Sequence, residues 1–179
     1  MRLFAAADLP STVREELAAW GAACAARVPA LRAVPGERMH ITLVFLGTRP
    51  DEEAEGIGSL VTACAAGPVG VELGDVLWLA PRRPHVLTLE VRDPTGRLGE
   101  LQARVSAALE AGAGYEPERR RYRPHATVAR VRKGERVRPD DVALPPAPQG
   151  EVALESLTLY RSVLGRAPRY EPVARVALA

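Results

Sequence analysis

Strands and helices interleave along this chain, which predicts an α/β or α+β fold, and an internal repeat predicts that the fold is built from two similar lobes. The repeat is an offset of 85 residues, under which Asp8 lands on Asp93, His40 on His125 and Thr42 on Thr127. The two halves also share an order of elements: a strand ending in Asp near a Pro, a helix, and a strand carrying His-x-Thr. The helices need a gap to align, so the repeat is stronger as an order of elements than as identity. Together these observations predict one bilobal domain over residues 1–179, with approximate half-repeats 1–80 and 85–179. A pseudo-twofold axis would bring the equivalent strands side by side or face to face.

The elements follow in order. "RLFAAAD" (2–8) reads as a short buried strand. "PSTVREELAAWGAACAARV" reads as a helix, with Ser11 as N-cap and Glu15 and Glu16 in its first turns. "PALRAVPGER" is a loop before the strand "MHITLVFLG". Asp51 caps a second helix that runs to about Ala66 and is ended by "GPVG". "VGVELGDVLWLA" and "HVLTLEV" are two strands joined by the turn "PRRP". A third helix covers roughly Thr95 to Ala111, and a loop rich in Gly, Pro and Arg leads into the strand "HATVARV". Beyond the proline-rich link "PDDVALPPAPQG" lie "EVALESLTLYRSVL" and a closing strand near "YEPVARVAL".

Composition narrows the class. An apolar fraction of 47% and a charged fraction of 26% are ordinary for a soluble globular protein, and 179 residues suffice for a core. No apolar run has the length of a membrane span. "MRLFAAADLPST" is too short, and too soon interrupted by Asp8, for a signal peptide, so a cytoplasmic location is expected. Cys24 and Cys64 lack ligand-like spacing and read as small buried hydrophobes, so neither a disulfide nor a metal is expected. The net charge of +2 is too small to argue for nucleic-acid binding. Such a case rests on where the arginines lie. Lys133 is the one lysine, and guanidinium groups grip phosphate bidentately and stay charged.

Chemistry concentrates in the two His-x-Thr strands. Side chains at i and i+2 of a strand share a face, so His40 projects with Thr42, and His125 with Thr127. Ile41, Leu43 and Phe45, like Ala126 and Val128, would then face the core. If the lobes face each other, two imidazoles and two hydroxyls converge on one cleft. With unperturbed pKa values of about 6.5, one imidazole can take a proton while the other gives one. A threonine hydroxyl beside each can hold a non-bridging phosphate oxygen. The set suits in-line phosphodiester chemistry without a metal. His85 has no counterpart in the repeat and reads as a strand-edge residue.

Arginines surround the second motif: Arg119, Arg120, Arg121, Arg123 and Arg130. Arg130 follows Thr127 by three, so a regular strand would turn it away, and a twist or bulge is needed to aim it at the site. Arg119 to Arg121 read as a solvated basic loop that would attract an RNA backbone. Phe45, Tyr122 and Tyr160 are candidates for stacking on a nucleobase. Core packing is the stronger reading for Phe45, and the tyrosines stay open.

The motifs "HITLVFLG" and "RPHATVAR", with the opening "RLFAAADLP" and the tail "ESLTLYRSVL…YEPVARV", resemble the 2H phosphoesterase superfamily. Within it, they are similar to the bacterial and archaeal RNA 2′,3′-cyclic phosphodiesterases, also called 2′-5′ RNA ligases. The resemblance covers nearly the whole chain. It implies a bilobal α+β fold, with antiparallel sheets lining a central cleft and helices outside. It also implies metal-independent hydrolysis of an RNA 2′,3′-cyclic phosphate, or a cyclic nucleotide, to a 2′-phosphomonoester without a cofactor. On that pattern His40 is the proton donor and His125 the proton acceptor, Thr42 and Thr127 hold the phosphate, and Arg130 helps bind it. Arg123, Tyr122 and Phe45 are candidate substrate-binding residues. A monomer is expected, because both lobes lie in one chain. Two other readings remain open: reversible 2′-5′ RNA ligation at the same site, and a non-catalytic module that binds RNA ends.

Overall fold

The computed structural model describes residues 1–80, 83–163, 165 and 168–179. Pro81 and Arg82 of the expected turn "PRRP", and Leu164 of the expected strand end, lie outside the described residues. The first strand, β1 (Arg2–Asp8), carries Ala5, Ala6 and Ala7 with no exposed surface, small enough for packing on both faces. Helix α1 (Ser11–Arg27) begins one residue earlier in role than expected: Pro10 is the N-cap and Ser11 the first helical residue, with no side-chain cap bond. Proline's fixed φ suits that boundary. The loop that follows holds a short strand, β2 (Leu31–Ala33), and a 3-10 turn at Gly36–Arg38. Strand β3 (Ile41–Thr48) carries the first motif. The second helix is split: Asp51–Glu53 form a 3-10 turn, and α2 (Ala54–Thr62) ends before Ala66.

Strands β4 (Gly70–Leu79) and β5 (Val86–Arg92) lead to α3 (Arg97–Ala113) and to β6 (His125–Val131), which carries the second motif. The stretch "EVALESLTLYRSVL" falls into two strands, β7 (Gly150–Ala153) and β8 (Ser156–Val163), and β9 (Arg169–Ala177) closes the fold. The architecture is α+β. Among the described residues nine strands form one antiparallel sheet in the order β7-β4-β5-β6-β3-β1-β8-β9, with β2 beside β6. The order is symmetric about its centre. On one side lie β3, β1, β8 and β9; on the other β6, β5, β4 and β7. The two groups meet through one pair, Ile41↔Ala126, which are also 85 residues apart.

The halves of the chain interlock. β4 pairs with β5 and β7, while β8 returns to pair with β1. The helices cross over too, since α1 packs on β6 and α3 on β3. α1 approaches β6 closely at Gly21, where a Cβ would sit 2.7 Å from the Val128 carbonyl oxygen. That same carbonyl accepts a hydrogen bond of 2.8 Å from the Val34 N–H. Val128 is the extra residue of a β-bulge, because Leu87 pairs with Ala129 while its neighbour Thr88 pairs with Thr127.

Glycine to alanine inside a helix ordinarily stabilises by about 1 kcal/mol. At Gly21 the new methyl meets backbone that is already bonded, so Gly21→Ala should instead lower stability by about 1–3 kcal/mol. Urea unfolding checks this, and a gain in stability would disprove the close approach.

Candidate active site

His40 immediately precedes β3 and His125 opens β6, so each motif straddles the central pair. Ile41 and Ala126 have no exposed surface. Alternation therefore sends His40, Thr42, His125 and Thr127 to the opposite face, where all four line one cleft of about 600 Å³. In this antiparallel register His40 lies across from Thr127, and Thr42 across from His125.

Both rings are held alike. His40 Nδ1 lies 3.0 Å from the Arg38 carbonyl oxygen, and His125 Nδ1 lies 2.8 Å from that of Arg123. A carbonyl only accepts, so each Nδ1 carries the proton and each Nε2 is left as the working nitrogen. His40 Nε2 stands 3.1 Å from Thr42 Oγ1, which donates to it when the ring is neutral.

Bulges complete the lining. In β6 the bulge at Val128 shifts the alternation, and Arg130 joins the cleft face as the sequence required of it. In β3 a matching bulge falls at Leu43, since Ala5 pairs with Val44 while Ala6 pairs with Thr42. Val44 takes the dry position, and Phe45 is turned out, 54% exposed, into the cleft. Core packing of Phe45 is thus incorrect, because the bulge inserts a residue that strict alternation does not count. Leu43 and Val128 are 85 residues apart, as are Phe45 and Arg130.

The cleft also gathers residues outside the two His-x-Thr motifs: Arg2, Arg32, Arg38, Phe4 and Tyr170. With Arg130 that makes four arginines, and among the described residues no carboxylate lines the cleft. Such a lining concentrates anions. The approach of β1, β2 and β9 brings in all of these but Arg38, which ends the 3-10 turn two residues before His40.

The two imidazoles differ in their surroundings. Phe4 lies 4.9 Å from His40 between ring centroids, Tyr170 meets it edge-on at 5.3 Å, and Tyr160 lies at 6.1 Å. Burial therefore dominates and pushes His40 down to about 4. The Arg38 carbonyl and the Asp8 carboxylate pull it back up, while His125 and Arg130 press it further down. Asp8 is buried at the end of β1, where it accepts from Ser156 Oγ (2.6 Å), Thr158 Oγ1 (2.6 Å) and Tyr160 Oη (2.8 Å). Its repeat mate Asp93 instead accepts from the Gly99 N–H in the first turn of α3.

Other candidates fall outside the cleft. Arg123 and Tyr122 line an adjoining cavity of about 550 Å³ that shares Thr42, Phe45 and His125 with it. Arg120 and Arg121 line the same cavity. Tyr122 Oη donates to the Thr42 carbonyl oxygen at 3.2 Å, tying the second loop to the first motif, and burial raises its pKa. Tyr160 is stacked on Phe4 at 5.3 Å. His85 lies in a separate cavity. Cys24 and Cys64 are free and buried. Among the described residues no three His, Cys, Asp or Glu side chains gather as a metal-binding group, and no helix is long and apolar enough to cross a membrane.

A histidine held below its unfolded value binds fewer protons folded than unfolded. Its contribution is present above the unfolded pKa of about 6.5 and is lost as pH falls through that value toward 4. The wild-type protein should therefore lose up to about 3 kcal/mol across that window that a His40→Gln variant does not lose. Denaturant melts of both proteins at pH 7 and pH 4.5 measure it. Parallel pH curves would show that His40 is not so enclosed.

Comparison with known proteins places this geometry. The model of the 2′-5′ RNA ligase superfamily matches residues 9–166. The RNA 2′,3′-cyclic phosphodiesterase of Escherichia coli (strain K12) is 32% identical over 182 aligned positions, covering 99% of this chain and 96% of that protein. The protein of the same name from Bacillus subtilis (strain 168) is 33% identical over 145, covering 78% of this chain and 76% of its own. Among solved structures, E. coli LigT complexed with 3′-AMP superposes with a TM-score of 0.77 at 30% identity, covering 99% of this chain and 97% of that one. The chain belongs to the 2′-5′ RNA ligase superfamily, the 2H phosphoesterases that its paired motifs resemble, and it is a hydrolase of that group.

Proposed function

We propose that this member of the superfamily is an RNA 2′,3′-cyclic phosphodiesterase, which opens the cyclic phosphate of an RNA end or a nucleotide to a 2′-phosphomonoester. One observation carries the reading. Two imidazoles, each with Nδ1–H engaged by the carbonyl two residues back, flank one arginine-lined cleft with Nε2 available. The names of the curated relatives and the nucleotide held by LigT support the substrate class.

In the proposed reaction water attacks phosphorus and gives a proton to His125 Nε2. The bond from phosphorus to the 3′ oxygen breaks, and His40 Nε2–H delivers a proton to that oxygen. The products are a 2′-phosphate and a 3′-hydroxyl. Thr42, Thr127 and Arg130 hold the non-bridging oxygens, where negative charge gathers in the transition state. Phe45 offers a ring to the nucleobase, with Arg123 and Tyr122 beyond it on the same side. The assignment of donor and acceptor requires a protonated His40, whereas burial leaves that ring neutral in the free protein at pH 7. A phosphodiester anion beside it opposes the effect of burial and draws a proton onto the ring. Substrate binding thereby loads the donor. All of these groups come from one chain, which supports action as a monomer, and no cofactor enters the scheme.

Turnover of 2′,3′-cyclic AMP and of RNA with a cyclic phosphate end should persist in EDTA and yield 2′-phosphate. His40→Ala and His125→Ala should each lower kcat/KM by about 10²–10⁴, the usual share of general acid–base catalysis. The double variant should be little worse than either single one. Activity abolished by EDTA, or retained in both variants, defeats the mechanism. Net joining of 2′-phosphate and 5′-hydroxyl ends would favour ligation instead. In NMR titrations the His40 midpoint should rise from near pH 4 toward neutrality on addition of 2′-AMP. An unmoved midpoint removes His40 as donor.

A further inference from the structure

A third cavity takes no part in the scheme above. It holds about 640 Å³ at the start of β5 and the end of β6. Its lining includes Arg83, Arg132, Lys133, Arg136 and Arg138, five cations, with Glu135 as the one carboxylate among the described residues. None of the five lies within ion-pair distance of a carboxylate among the described residues. The cavity beside Tyr122 is quite different: Arg120, Arg121 and Arg123 are offset there by Glu110 and Glu118, and apolar side chains fill much of the wall. That one suits a nucleoside. The five-cation cavity suits a polyanion.

Position agrees with charge. Arg130 lines the catalytic cleft and Arg132 lines the basic cavity, two residues or about 7 Å further along the chain. On the neighbouring strand Val86 lines the cleft and the preceding His85 lines the basic cavity, with its Nδ1–H donated to the Arg83 carbonyl oxygen. Positive charge thus continues from the cleft to the cavity. Among the described residues of a chain with a net charge of only +2, nine Lys and Arg residues stand in these two linings against one acidic residue.

We propose that the cavity at the β5 and β6 ends is a second anion subsite, which holds the phosphodiester backbone of an RNA whose 3′ end occupies the cleft. This inference rests on the cyclic phosphodiesterase reading for the identity of that end. It makes polynucleotides, rather than mononucleotides, the preferred substrate. Backbone contacts of this kind position a strand without reading its sequence, and each contact adds to the salt dependence of binding.

The test uses Lys133→Gln/Arg136→Gln/Arg138→Gln, all exposed side chains, against Arg14→Gln/Arg27→Gln on α1, which lines neither cavity. Binding of a fluorescent RNA decamer is followed by anisotropy across a range of KCl concentrations. The triple variant should bind about tenfold more weakly at moderate salt, with a log–log slope shallower by about 2, from roughly 0.7 per phosphate contact on a single strand. Its kcat/KM for a decamer with a cyclic phosphate end should fall about tenfold, while turnover of 2′,3′-cyclic AMP stays unchanged. If the triple variant fails to fold, Lys133→Gln/Arg136→Gln repeats the measurement. Equal RNA binding by wild type and variant, or an equal loss in the α1 control, overturns the subsite and leaves the cleft chemistry standing. Displacement of the decamer by millimolar inorganic phosphate, together with equally tight binding of a dinucleotide, marks a small-anion site and also overturns it. A wild type inactive on both substrates, yet showing the binding difference, overturns the cleft reading and leaves the subsite.

Discussion

Backbone pairing between Ile41 and Ala126 is the constraint on which the site depends. These two residues join the halves of the sheet and are also mates under the 85-residue repeat. A twofold relation between the motifs therefore has its axis between them, and the cleft residues are fixed by counting outward. Their side chains are buried, so His40, Thr42, His125 and Thr127 must take the other face. A slip of one residue would bury four polar side chains and expose Ile41 and Ala126, a double penalty that keeps the register single. The short contact has a second consequence. Because the strands pair at one point and not along their length, the groups on either side are free to splay, and an opening forms over the seam.

Two local devices then aim the side chains. The first is the carbonyl bond to Nδ1 from the residue two places back, found at His40 and His125. His85 makes the same bond to Arg83, so the device alone does not mark a catalytic ring. What separates the three is the seam, which gathers two of them. The second device is the matched pair of bulges at Leu43 and Val128, whose effect is to bring Phe45 and Arg130 onto the cleft face. The Val128 bulge is secured from outside the sheet, by the Val34 N–H and by the close approach of Gly21. Packing of α1 is in this way coupled to the placement of an arginine in the cleft.

Much of this was legible in the sequence, and the rest had a physical reason to be hidden. The motifs, their offset and the α+β class follow from strand periodicity and an order of elements, both of which are local or nearly so. Periodicity also misled. It assumes that alternation never loses a beat, and so it sent Phe45 into the core and left Arg130 waiting on an unproven bulge. Leu43 and Val128 are ordinary strand residues, so nothing in the local sequence announces the extra residue at either place. Partner choice is equally silent. That β4 joins β5 and β7, or that β8 and β9 come back to β1, depends on contacts across most of the chain. Arg2 and Tyr170 reach the cleft by those exchanges and Arg32 by the pairing of β2 with β6, whereas Arg38 stands two residues before His40.

A duplicated scaffold still has to become unsymmetrical to act on an unsymmetrical substrate. In the proposed reaction phosphorus sits near the axis, but its two reacting oxygens differ: one arrives as water and the other leaves bonded to a ribose. Equivalent imidazoles would give either oxygen the same partner. Burial breaks the tie, since Phe4, Tyr160 and Tyr170 enclose His40 while the bond that holds His125 is exposed. Symmetry is broken again one step out, where the equivalent places hold an aromatic ring at Phe45 and a guanidinium at Arg130. Base and upstream backbone leave the terminal ribose in different directions, so a ring on one side suits the base and charge on the other suits the phosphates. The two bulges supply identical geometry, and the side chains mounted on them supply the difference, so orientation of the substrate follows from what each bulge carries.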